Sequence, residues 1–117
     1  MKEIYSYDVY ILSEQLSDRI WTMFDTWDRK AKQTMGYQMI RSADSISANL
    51  AEGFGRYSFA DKKRFYRYSR GSFEETKAWL RKAYRRRLIS EEEKIDIQNI
   101  TDVLGPKLNS FISKTGA

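Results

Sequence analysis

Residues 35–55 read MGYQMIRSADSISANLAEGFG, and their spacing decides the fold. Met35, Met39, Ala43, Ile46, Leu50 and Phe54 recur at gaps of three or four, which lines them along one face of an α-helix. Arg41, Ser45, Asn49, Glu52 and Arg56 follow the same gaps on the opposite side. Gly53 and Gly55 then free the chain to leave the helix. A single apolar stripe needs others to cover it.

The flanking sequence supplies three more. Upstream, Val9, Leu12, Leu16, Ile20, Met23 and Trp27 repeat at helical spacing over five turns. Downstream, Ser58 is an N-cap with Asp61 three residues on, approximating a capping box. The helix that follows turns Phe65, Ser69, Ser72, Phe73, Thr76, Leu80 and Ala83 inward and should end near Arg87. Its small residues at 69, 72 and 76 allow a neighbour to approach closely. Ser90-Glu91-Glu92-Glu93 opens a fourth helix with both halves of a capping box and three acids at the positive end of the dipole. Its stripe of Ile97, Ile100, Leu104, Leu108 and Phe111 keeps phase across Gly105-Pro106, which predicts a kinked helix rather than two. Residues 114–117 read as a frayed tail.

No run alternates with period two for long enough to make a strand, and there is no repeat or linker. The expected fold is all-α: a single domain over 1–117, an antiparallel up-down-up-down four-helix bundle with helices at about 8–27, 31–54, 59–87 and 91–113.

The 117 residues include no Cys and no His, which removes zinc sites, thiolate nucleophiles, imidazole bases and disulfides. No metal or cofactor is expected. The amino end has no signal-peptide core and no stretch is apolar enough to span a membrane, so a cytoplasmic protein without membrane contact is expected.

The net charge of +5 is unevenly spread. Between Arg56 and Arg87, 12 Lys or Arg face three acids, a net of +9, against −4 for the rest of the chain. At 100° per residue, Lys63, Arg67, Arg70, Lys77, Arg81 and Arg85 fall within an arc of about 80° and form a stripe about 33 Å long. Such a line of cations suits the backbone of RNA or DNA, with Tyr66 and Tyr84 on its flank as stacking rings. A solvated face, or one that serves assembly or a protein partner, is the alternative. Only Glu74 interrupts the stripe.

The row Arg41, Ser45, Asn49, Glu52 and Arg56, with Glu75 from the third helix, reads as a polar network between helices or subunits. Glu52 and Glu75 read as partners of arginine rather than metal ligands, and neither a Walker motif nor GxGxxG is present. No enzymatic activity is expected. Tyr5, Tyr7, Tyr10, Trp21, Trp27, Tyr37, Tyr57, Phe59 and Trp79 are more aromatics than one small core needs, which points to a homo-oligomer.

The stretch Arg41 to Arg56 resembles the 23S rRNA-intervening-sequence proteins, whose second helix carries the pattern R-x-A-x-S-I-x-x-N-I-A-E-G-x-x-R. Arg41, Ala43, Ser45, Ile46, Asn49, Ala51, Glu52, Gly53 and Arg56 match it, with Leu50 for Ile. Phe65, Arg70-Gly71-Ser72, Glu75 and Leu80 match the family's third helix, with Ser69 for Ala. Ser47 stands where the family usually has Pro. The resemblance implies an antiparallel four-helix bundle that assembles as a ring, commonly a pentamer. Relatives of this kind include the accessory variability determinant of diversity-generating retroelements, a basic pentamer that binds nucleic acid and a reverse transcriptase.

Overall fold

Four long helices account for most of the chain in the computed structural model, which describes residues 2–116. Met1 and Ala117, the two ends of the expected domain, lie outside the described residues. A 3-10 turn (Ile4–Ser6) leads into α1 (Asp8–Phe24). A short α-helical turn (Arg29–Ala31) and a π-helical turn (Lys32–Gly36) lead into α2 (Tyr37–Phe54). Helices α3 (Phe59–Arg85) and α4 (Glu91–Lys114) complete the chain. There is no strand among the described residues, and the fold is all-α.

The stripes read from the spacing meet in one core. Leu16, Ile20, Met39, Ala43, Ile46, Leu50, Leu104 and Leu108 lose all exposure, and Phe73 retains 1%. The hydroxyls inside this core are satisfied. Ser17 donates to the Ala43 carbonyl at 3.0 Å, Ser69 to the Ile46 carbonyl at 2.7 Å, and Thr76 to Ser42 Oγ at 3.0 Å. Ser13 bonds back to the Val9 carbonyl, and the one Thr76 proton is shared between Ser42 Oγ and the Ser72 carbonyl. These small side chains bring α2 and α3 close, as residues 69 and 76 suggest; Ser72 is half-buried on the edge of the contact.

Local signals place the ends. Ser58 accepts from the Asp61 amide at 3.1 Å, and the Ser90–Glu93 box is complete at 3.0 and 2.8 Å. Helix α4 continues through Pro106 to Lys114. Ser47, in the family's Pro position, lies inside an uninterrupted α2.

Four expectations are corrected. Helix α1 stops at Phe24, not 27, because the chain turns through Thr26 and Trp27. The helical segment after it begins at Arg29, not 31, because Asp28 caps it by accepting from the Ala31 amide at 2.8 Å. Helix α3 ends at Arg85, not 87: Arg87 takes a left-handed φ of 60°, and the Leu88 amide reaches back to the Ala83 carbonyl at 2.9 Å. The tail does not fray at Thr115 and Gly116. The Thr115 hydroxyl caps the Phe111 carbonyl at 2.8 Å, and Gly116 lies against Phe59.

Two glycines make opposite predictions for one substitution. A Cβ on Gly53 would lie 2.7 Å from the Tyr66 ring and 3.0 Å from the Lys62 carbonyl, and Tyr66 is itself buried. Gly53→Ala should destabilise the fold by about 1–3 kcal/mol despite its better helix propensity. A Cβ on Gly71 meets nothing within 4 Å. Gly71→Ala should therefore stabilise the chain by about 1 kcal/mol. Chemical denaturation of the two variants checks both signs.

Candidate nucleic-acid interface

The +9 region comprises Arg56, α3 and the turn after it. Arg67, Lys77, Arg81 and Arg85 are exposed, and Lys63 and Arg70 are half-buried. The six cations are not equivalent. Glu74 sits within the stripe and engages two of them, with Arg70 Nη1 at 3.3 Å and Lys77 Nζ at 3.6 Å. Arg70 is held further by Asn109 of α4, whose Oδ1 accepts from Nε at 2.8 Å. Arg70 and Lys77 also lie 5.6 and 5.3 Å from the centre of the Phe73 ring, covering the edge of the core. Among the described ion pairs none involves Lys63, Arg67, Arg81 or Arg85.

The two flanking tyrosines are not free platforms. Tyr66 retains 2% exposure and packs on Phe111 with ring centres 4.8 Å apart, so its expected stacking role is withdrawn. The reason is that α3 packs against both α2 and α4, which widens its buried arc beyond the stripe read from the sequence. Burial also raises the Tyr66 phenol pKa. Tyr84 is half-buried: its hydroxyl donates to Glu91 at 2.5 Å, and Lys94 lies 4.3 Å above its ring. The bond to Glu91 raises the Tyr84 pKa by favouring the protonated phenol.

The polar row stays on one side and, apart from Arg56, which also reaches Asp61 of α3 at 3.8 Å, bonds within α2. Ser45 donates to the Arg41 carbonyl at 2.8 Å and Asn49 to the Ser45 carbonyl at 2.9 Å. Arg56 pairs with Glu52 at 2.6 Å and stacks over Phe65, 4.5 Å from the ring centre. Glu75 accepts from the Trp79 indole at 3.1 Å, and none of the described ion pairs joins it to an arginine. Arg41, Glu52 and Glu75 are exposed, and Ser45, Asn49 and Arg56 half-buried, so within one chain this is an outer face. Among the described residues no three acids come together as a metal site.

The surplus aromatics divide. Tyr5, Trp21, Tyr37, Tyr57 and Phe59 are exposed, Tyr57 fully. Trp27 is not: it is 5% exposed and closes one end of the core beside Phe24. Tyr7, Tyr10 and Trp79 pack partly against the core. No helix among the described residues is long and apolar enough to cross a membrane.

One feature was outside the reach of the sequence pattern. Lys94, Gln98 and Thr101 of α4 line a groove together with Lys77, Arg81 and Arg85 of α3. Their own spacing places them beside the Ile97 stripe, but only packing brings them to the basic face.

Fold and surface define the class: an all-helical chain whose positive charge is gathered on one helix. The chain belongs to the 23S rRNA-intervening sequence protein family, whose pattern it matches over residues 5–110. It is also similar to a solved protein of unknown function from the S23 ribosomal protein family of Bacteroides thetaiotaomicron. The two are 27% identical, superpose with a TM-score of 0.81, and align over 89% of this chain and 97% of the other. No curated protein matches the chain.

Proposed function

We propose that this protein is a non-enzymatic, cytoplasmic, homo-oligomeric four-helix bundle that binds the backbone of RNA or DNA through the basic face of α3. The carrying observation is that Lys63, Arg67, Arg81 and Arg85 keep their charge free of the described ion pairs. Phosphates are the natural complement of such a row, and contacts to them carry little base preference.

The antiparallel up-down-up-down arrangement is part of the proposal. Thr76 with Ser42 and Ser69 with Ile46 support opposite directions for α2 and α3. Lys107 with Asp8 and Arg19 with Asp96 do the same for α1 and α4. Assembly is supported by the exposed aromatics. The resemblance suggests five copies, which sedimentation equilibrium would measure.

A substitution of the opposite sign tests the binding claim. Glu74→Gln frees Arg70 and Lys77 at little cost to stability, since exposed pairs contribute only tenths of a kcal/mol. Affinity for a labelled RNA should rise about tenfold, and the log–log salt dependence should steepen by about one to two. Unchanged affinity and slope would count against phosphate contacts on this face. A second reading, an adaptor that binds a protein partner, is favoured by the same exposed aromatics and gains if no polyanion binds.

A further inference from the structure

The basic face of α3 borders a groove of about 400 Å³ that runs between α3 and α4. Its floor is apolar, made by Leu80, Ile89 and Ile97, which are 7%, 6% and 4% exposed. Arg81, Arg85 and Lys94 stand around it, and no carboxylate lines it. Charge complementarity therefore selects an anionic occupant. Phosphate alone has no use for an apolar floor, and a neutral apolar ligand has no use for the cations. The occupant that satisfies both is a flat ring joined to phosphates.

We propose that this groove takes an unpaired nucleobase from a single strand of RNA or DNA, with the flanking phosphates on Arg81 and Arg85. The inference rests on the backbone-binding reading above and adds a preference to it. The volume lies in the range of small-molecule sites. A duplex keeps its base faces stacked, whereas a single strand offers them to a protein surface. The Tyr84 wall is fixed from both ends, by Glu91 at its hydroxyl and by Lys94 at its ring. Gln98 and Thr101 supply the polar atoms along the α4 side. Nothing here reads one base over another, so the selectivity is for unpaired nucleotides rather than for a sequence.

The test compares two strands of equal charge. A labelled oligothymidylate and an abasic strand of the same length are titrated with the whole protein at about 50 mM salt. The intact strand should bind about fivefold more tightly, since burying about 40 Å² of apolar base surface on the aliphatic floor contributes about 1 kcal/mol. The double variant Gln98→Met, Thr101→Leu fills the groove with aliphatic chains from an exposed and a half-buried position. It should erase that difference while leaving the abasic strand's affinity unchanged, with circular dichroism confirming the helices. Equal binding of both strands by the unmodified protein would overturn the groove assignment, hand the groove to an acidic protein segment, and leave the backbone reading standing. A difference that survives in the double variant would overturn it too. Binding of neither strand would remove the backbone reading itself.

Discussion

The variant Arg67→Glu, Arg81→Glu, Arg85→Glu should lose about 10³-fold in affinity for RNA or duplex DNA at about 50 mM salt while remaining helical. These three side chains are exposed and none takes part in a described ion pair. Each reversal removes one attraction and adds one repulsion. For unit charges about 4 Å apart in water that is about 2 kcal/mol per position, and screening reduces the sum to about 4 kcal/mol. That corresponds to about 10³-fold. Arg and Glu have similar helix propensity, so α3 itself is little affected. The structural cost lies in the last turn of α3, where Arg85 favours the negative end of the dipole. Reversing it there costs about 1 kcal/mol. Gel-shift and circular dichroism on the same preparation separate the two effects. Retained affinity with retained helicity would move the phosphate contacts elsewhere.

The largest expected loss of stability comes from Phe73→Ala, at about 3–5 kcal/mol. Phe73 is 1% exposed and lies where α3 meets α4. Its ring edge comes within 3.2 Å of the position a Cβ would take on Gly105, so a glycine in α4 makes room for it. Arg70 and Lys77 cover its outer edge. Removing the ring leaves a cavity between the two helices, which the Arg70–Asn109 bond also ties together. Phe73→Leu should cost about a third as much. For a chain of this size, total stability is of the order of 5–15 kcal/mol, so Phe73→Ala should remove about a third or more of a mid-range value. Urea denaturation would measure both variants; equal, small losses would mean that the α3–α4 contact is loose.

Most of the fold was legible because each helix buries a single stripe at one period, so spacing alone selects Leu16, Ile46, Leu80 and Leu104. Phe65 and Tyr66 were not, because α3 touches two neighbours and its buried arc is shifted towards Tyr66. The sequence placed Phe65 inside and Tyr66 outside. The core takes Tyr66 fully and leaves Phe65 half-exposed beneath Arg56. Trp27 was read both as the end of the inner stripe and as a surplus aromatic; the core takes it, as the stripe indicates, although it lies beyond the last turn of α1. The π turn at Lys32–Gly36 has no simple pattern. It accommodates Gly36 against the Phe24 ring, a contact that exists only once both segments are packed.

Within the interface the six cations were legible from 100° geometry. Glu74 was legible only as a break in the stripe; its pairing with Arg70 and Lys77, four and three residues away, came with the structure. Its consequence, two cations held and four free, needed the distances. The groove beside them belongs to two helices and could not be read from either.

The most direct measurement is the salt dependence of binding by the unmodified, nuclease-treated protein. Fluorescence anisotropy with labelled RNA and duplex DNA at about 50 and 200 mM salt would give it. Four phosphate contacts predict a fall in affinity of about 10²-fold, and six of about 10³-fold. A fall in that range supports a backbone-binding helix face. No binding at 50 mM salt, or an affinity that does not change with salt, would contradict it.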